Sequence, residues 1–403
     1  MANPYAALFR TPGAVAFSLA GFVGRMPISM TGIGVLTMLS QMRGGYALAG
    51  AVAATFTLST ALAGPQVSRL VDRLGQGRVL LPAAGLSVAG LAALLLCARS
   101  GAPAWTLFVF AALAGTLPNL AAMVRARWTH AHRGSPHLHA AFSLESVVDE
   151  LTFVIGPALS VALSTALFPE AGPLVAGVLL VAGVLLLVPQ RRTEPPVQRY
   201  DAAAGPSRSA IRIPAVRLLA LLLAAGGVIA GTVDVVSVAF AAQAGAPASA
   251  GFVLAAYAGG SALSGLAFGA LRLAVPLPRL LLISVTGTAL TTVPLLFAGG
   301  VAALAAAVFA AGLFFAPTMI VVMRLVERAV PASSLTEGMT WAITGLSAGI
   351  ALGAALAGAL VDHYGPTSGF GVAVAAGAVA LALAALAART PAGKEAEGER
   401  AAH

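Results

Sequence analysis

Apolar runs recur from one end of the chain to the other. Each is long enough to cross the roughly 30 Å hydrocarbon core of a bilayer as a helix. They predict helices at about 14–40, 45–68, 79–98, 103–125, 140–166 and 173–189. Six more follow at about 214–242, 247–270, 279–298, 301–324, 334–359 and 369–389. Gly/Pro steps such as Gly172-Pro173 and Gly365-Pro366 mark turns between them. One long polar stretch interrupts the series, with Arg191, Arg192, Pro195, Pro196, Arg199, Asp201, Arg208 and Arg212. Its composition favours disorder. The pattern divides the chain into a six-helix half at 1–190, a linker at 191–213, a second half at 214–389 and a disordered tail at 390–403. The implied fold class is an all-α membrane protein of twelve transmembrane helices in two pseudo-symmetric bundles.

Composition excludes the main competitor. Of 403 residues, 59% are hydrophobic and only 9% are charged. A soluble domain carries about 25% charged residues, so a soluble enzyme is ruled out. The net charge of +9 does not point to nucleic acid, because the basic residues are scattered singly between apolar runs. Topology explains them better. With twelve spans, 20 of the 23 basic residues fall on the side of the linker and both termini. Arg43 and Arg99 fall opposite, and Arg25 falls within the first helix. The positive-inside rule then makes the linker and termini cytoplasmic. Cys97 is the sole cysteine, so no internal disulfide can form. The first apolar run does not read as a cleavable signal.

The halves repeat. Ala49-Gly50-x-Val52 and Ala61-Leu62-x-Gly64 recur as Ala250-Gly251-x-Val253 and Ala262-Leu263-x-Gly265, at an offset of 201. Pro118 and Arg125 recur as Pro317 and Arg324, at an offset of 199. Parallel six-helix repeats imply a two-fold axis along the membrane normal, with the substrate path between the halves.

After the second helix the chain reads Ser68-Arg69-Leu70-Val71-Asp72-Arg73-Leu74-Gly75-Gln76-Gly77-Arg78. This resembles the major facilitator superfamily signature G-x-L-A-D-R-x-G-R-[KR]. Asp72, Arg73 and Gly75 match, Ser68 replaces the first glycine, and Gln76-Gly77 replaces the basic pair. A related phrase, Gly358 to Gly365 with Asp362, follows the eleventh helix. The chain also resembles actinobacterial members described as drug or metabolite exporters. The resemblance implies that Asp72, Arg73 and Arg78 form a cytoplasmic gate, closed in the outward-facing state. It also implies that helices 1, 4, 7 and 10 line the cavity, which brings in Asn119 and Asp234 as substrate-binding candidates. Asn119 could equally bond helix to helix, and Asp234 could bind a cationic substrate or a second proton, or be a pore-lining or outer-end polar residue.

Four charges sit where charges are expensive: Arg25 in the first helix, and Glu145, Asp149 and Glu150 in the fifth. A charge at the bilayer centre costs about 2.5–3.5 kcal/mol on insertion scales. The four are therefore expected to face the interior and satisfy one another. Glu145 and Asp149 share a helix face, and Glu150 is turned about 100° further round. Arg25 is expected to pair with Asp149 or Glu150, leaving at least one carboxylate underpaired. One arginine cannot satisfy three acids, which favours proton coupling over a static ion pair, with Asp149 ranked first, Glu150 second and Glu145 third. Pro27 is expected either to break the first helix or to kink it.

His130, His132, His137 and His139 form two H-x-H pairs in a basic stretch, read as a solvated loop rather than a metal site. Gly345-xxx-Gly349-xxx-Gly353 and Gly265-xxx-Gly269 read as packing faces. No cofactor, metal or catalytic motif is visible. The reading is a proton-coupled antiporter that exports a small amphipathic compound from a bacterial cell across its cytoplasmic membrane, a monomer sufficing. A proton symporter importing a nutrient is the alternative, and a non-transporting membrane sensor or enzyme is a remote one.

Overall fold

The computed structural model describes residues 4–43, 46–135, 137–197, 209–246, 249–271 and 275–389. The centre of the expected linker, Pro136, Arg272 and the expected tail lie outside the described residues. A short helix, α1 (Pro4–Leu8), precedes α2 (Ala14–Arg43), α3 (Tyr46–Leu74), α4 (Gln76–Arg99), α5 (Ala104–Ala114), α6 (Leu120–His132), α7 (His137–Ala166) and α8 (Ala171–Leu187). The second half holds α9 (Pro214–Gln243), α10 (Ala250–Ala270), α11 (Leu277–Thr292), α12 (Val301–Ala329), α13 (Leu335–Tyr364) and α14 (Pro366–Arg389). Ten of these helices, α11 with the 3-10 turn that extends it, are long and apolar enough to span a membrane. Two more spans are made by α5 with α6 and by the shorter apolar α8, giving the twelve expected.

The contacts repeat as the sequence does. In the first half α2 packs on α7 and α8, α3 on α5, and α4 on α5 and α8. In the second, α9 packs on α13 and α14, α10 on α12, and α11 on α12 and α14. Two seams join the halves, α3 against α13 and α7 against α10. A pseudo-two-fold operation exchanges them.

Small residues make the tightest of these contacts. Gly345, Gly349 and Gly353 of α13 lie against the carbonyls of Ala220, Ala224 and Val228, and Gly227 and Gly231 of α9 lie against those of Leu346 and Ile350. A methyl group at Gly349 would overlap the Ala224 carbonyl oxygen, which is backbone and cannot swing away. Overpacking costs about 1–3 kcal/mol. Gly349→Ala is therefore expected to lower the thermal midpoint of the purified protein. Gly371→Ala in α14 meets open space and should match or exceed the wild type, since alanine is the better helix former.

Two local expectations change, and a third, at Pro27, narrows to the alternative without a break. The fourth span is not one helix over 103–125. It stops at Gly115 and restarts at Leu120, because Pro118 lacks an amide donor and disfavours helix at the residue before it. The first span is unbroken at Pro27, and Thr31 Oγ1 donates to the Pro27 carbonyl at 2.8 Å. The histidine stretch is not a solvated loop. α6 runs on to His132, whose ring stacks on Trp128 and meets His137, while His139 Nε2 lies 2.8 Å from the Phe268 carbonyl.

Candidate functional site

Arg25 enters from α2 and Glu145 and Asp149 from α7. Arg25 Nη2 donates to Glu145 Oε2 at 2.5 Å and Nη1 to Asp149 Oδ1 at 2.8 Å. Arg25 Nε donates to the Gly21 carbonyl at 3.2 Å, which fixes the guanidinium plane. A second arginine completes the group: Arg125 Nη2 donates to Asp149 Oδ2 at 2.5 Å. Trp128 Nε1 donates to Glu145 Oε1 at 3.0 Å. Arg25, Glu145 and Arg125 are each no more than 2% exposed and Asp149 is 19% exposed. Two guanidiniums face two carboxylates, so this group is internally neutral.

The pairing of Arg25 with Asp149 agrees with the sequence expectation. Glu145 joins them, and Glu150 is the carboxylate left over. Its position one residue beyond Asp149 turns it off the α2 face and onto α10, in the other half. There Ser261 Oγ donates to Glu150 Oε2 at 3.3 Å. Among the described residues Glu150 makes no ion pair. Asp149 and Asp234 are near enough to act on it through their charge.

Asp234, on α9, is exposed. Tyr257, one helical turn from Ser261 on α10, packs its ring on Phe315 with centroids 5.9 Å apart. Tyr257 is 7% exposed.

Hydrogen bonds between the halves run from this level toward the linker-side ends. On one seam Ser68 Oγ and Thr340 Oγ1 are 2.8 Å apart. Asp72 accepts from the backbone N–H groups of Thr336 at 3.1 Å and Glu337 at 2.8 Å, at the start of α13. A carboxylate at a helix N-terminus satisfies orphan amides and meets the positive end of the dipole. On the other seam Ser143 fills the space over Gly269, and His139 meets the Phe268 carbonyl. Tyr5 donates its hydroxyl to the Leu266 carbonyl at 2.5 Å, and burial pushes that phenol up to about 12, so it stays a donor.

The other gate candidates divide. Arg73 and Arg78 are exposed, and Arg78 makes no ion pair or hydrogen bond among the described residues. Gln76, which replaces a basic residue of the signature, is buried and accepts from Arg127 Nε at 2.8 Å. Arg127 also donates to the Leu187 and Gln190 carbonyls and to Thr193, fastening the start of the linker. The far end of the linker is held at the start of α13, where Ser209 Oγ and the Ala210 N–H both donate to Glu337.

Asn119 is buried at the break between α5 and α6. Its Oδ1 accepts from the Ala122 N–H at 3.1 Å, so it caps α6. Sequence reasoning missed Arg125, Trp128, Ser261 and Tyr257 as site residues. For Arg125 a signal existed in its repetition as Arg324. No group of three or more potential ligands is placed to hold a metal ion among the described residues.

A family model described as the Major Facilitator Superfamily matches residues 17–245 and 222–403. No curated protein matches the chain. Several solved structures are similar in fold. A bacterial homologue of the iron transporter ferroportin, in its outward-facing state, is 16% identical, with a TM-score of 0.71, over 93% of this chain and 99% of its own. The human organic anion transporter MFSD10 (TETRAN) is 13% identical, with a TM-score of 0.70 and the same coverage of 93% and 99%. The Escherichia coli fucose:proton symporter is 14% identical, with a TM-score of 0.69, again over 93% and 99%.

Proposed function

Because the chain belongs to the Major Facilitator Superfamily, we propose that it is a proton-coupled secondary transporter that exports a small amphipathic compound by antiport. The two halves rock about the cleft in alternating access. Glu150 is the group that exchanges the proton. The observation that carries this assignment is its position: an acid within a spanning helix, on the face turned to the other half, without a cation. An uncompensated carboxylate in such a site is costly, and taking up a proton relieves that cost without breaking an ion pair. Asp149, ranked first from the sequence, has both oxygens committed to guanidiniums, so protonating it would sacrifice two ion pairs. Glu145 is committed to Arg25 and Trp128. These two acids with Arg25 and Arg125 hold α2, α6 and α7 together and present Glu150 to α10.

The positive-inside distribution supports a cytoplasmic linker and termini. The hydrogen bonds that the first amides of α13 donate to Asp72 then close the cytoplasmic side, and the conformation is outward-facing. Protonation of Glu150 from outside, followed by opening of the Asp72 contact, would release the proton inward as substrate binds from the cytoplasm, and the return to the outward-facing state would carry the substrate out. A fold shared with a proton symporter supports an architecture that accommodates proton coupling.

The test uses purified protein in liposomes containing a pH-sensitive dye, challenged with a panel of amphipathic compounds, sugars and amino acids. Wild type is expected to show a substrate-dependent proton flux opposite in direction to the substrate. Glu150→Gln should reduce that flux at least tenfold while the protein stays folded. Undiminished flux in Glu150→Gln removes the assignment, and flux in the same direction as the substrate replaces antiport by symport.

A further inference from the structure

We propose that the break in the fourth span forms a binding site for one small monovalent cation, sodium in size and charge. The hydroxyl oxygens of Thr31 and Ser87 and the backbone carbonyls at the end of α5 hold it. The site lies inside the first half, and it stands whether or not Glu150 carries a proton.

The break leaves backbone oxygens without helical donors. Pro118 has no amide N–H, so the Ala114 carbonyl loses the donor four residues on. Ser87 Oγ from α4 donates to it instead, at 2.5 Å, and Ser59 Oγ from α3 donates to the Ala112 carbonyl at 2.5 Å. The second half differs, since α12 runs unbroken through Pro317. A cavity lies at the break, enclosed by α2, α3, α4, α5 and α8, with Thr31, Phe56, Ser87, Ala114, Leu117 and Leu180 on its walls. It has room for one water-sized occupant. Thr31, Ser87, Ala114 and Leu117 are each no more than 4% exposed.

Size and hydrogen bonding decide the class. No organic molecule fits a space of this size. The Ser87 hydroxyl proton is spent on the Ala114 carbonyl, and that of Thr31 on the Pro27 carbonyl at 2.8 Å. Each hydroxyl oxygen keeps a lone pair, so the side chains on the walls offer acceptors and no spare donor. A water there could donate but would find no donor for its own oxygen, whereas a cation needs acceptors alone. No carboxylate, imidazole or thiol lines the cavity, which favours a single charge over a divalent or transition metal. The C-terminal end of α5 adds the negative end of a helix dipole. Interrupted spanning helices hold small cations by such half-helix ends and unwound carbonyls. The ion also has a structural consequence. α6 starts just beyond the break and carries Arg125 to Asp149 and Trp128 to Glu145, so an ion at the break steadies the charge cluster.

The full-length protein in detergent would be titrated with sodium chloride, and with choline chloride at the same ionic strength. The readouts are the thermal midpoint and equilibrium binding of radioactive sodium. Sodium is expected to raise the midpoint saturably and to bind, and choline to do neither. Ser87→Ala removes one oxygen, and Thr31→Val removes the other at nearly constant volume, which leaves a folded variant to test if Ser87→Ala is too unstable. Each should raise the half-saturating sodium concentration about tenfold or more. Equal effects of sodium and choline overturn the proposal. So does an unchanged half-saturating concentration in Thr31→Val. Loss of sodium binding in Glu150→Gln, with binding kept in Thr31→Val, would place the ion at the acid and overturn it as well. Proton flux in liposomes is read separately: its loss in Glu150→Gln bears on the coupling role of that acid and not on the sodium site.

Discussion

Arg25→Met is expected to destabilise the protein by about 3–5 kcal/mol, the range measured when one partner of a buried ion pair is removed. Among the described residues Arg25 alone touches both Glu145 and Asp149 with charge, at 2.5 and 2.8 Å. Without it Glu145 keeps one neutral donor, Trp128, and Asp149 keeps Arg125. The group then carries an unbalanced negative charge inside a spanning bundle, where water cannot compensate. Arg25→Lys should recover only part of the loss, because a single ammonium cannot bridge two carboxylates as the planar fork does. The double variant Arg25→Met with Glu145→Gln should be more stable than Arg25→Met alone, since it restores neutrality. Thermal and denaturant unfolding of the purified variants measures all three. A stability for Arg25→Met within about 1 kcal/mol of wild type would mean that the cluster does not hold α2 to α7.

The spans were legible because apolar length is a one-dimensional property, and the halves because Pro118/Arg125 and Pro317/Arg324 keep one spacing. The Arg25–Asp149 pair was also legible, since four charges in two apolar runs have few other partners. Which acid would be left over was not. The helical period says that Glu150 and Asp149 differ by about 100°, but not which direction faces α2 and which faces α10. Helix packing fixes that. Arg125 was counted among the loop arginines, because the apolar run ends near it. In the structure α6 continues to His132 and draws Arg125 and Arg127 inside, each 0% exposed, against carboxylate and carbonyl partners. A hydropathy pattern cannot distinguish a solvated arginine at a helix end from one folded back into the bundle. Asn119 was read as a residue within a continuous helix, and its capping role exists only because the helix is interrupted there.

Asp72→Ala is expected to shift the conformational equilibrium away from the linker-side-closed state by about 2–3 kcal/mol, roughly 30- to 150-fold. Asp72 lies at the end of α3 in the first half, and the two amides it accepts from start α13 in the second. When the halves part at this end the carboxylate and the helix N-terminus separate, so the interaction belongs to one state only. An interaction present in one state biases the equilibrium by its full differential value. Asp72→Asn keeps an acceptor oxygen but loses the charge and should shift the equilibrium by less than Asp72→Ala. Arg78→Gln serves as the matched control. It removes a charge from the same turn but breaks no ion pair or hydrogen bond among the described residues, and should leave the distribution unchanged. Spin labels at Arg133 in the first half and Arg328 in the second, both exposed at the linker-side ends, would report the separation in a Cys97→Ser background. The distance distribution should gain a longer component in Asp72→Ala alone and in graded amount in Asp72→Asn. An unchanged distribution in Asp72→Ala would show that Ser68, the α7–α10 seam and the linker ends keep this side shut without it. The gate would then have to be sought at Glu337, where Ser209 and Ala210 converge on the same helix start.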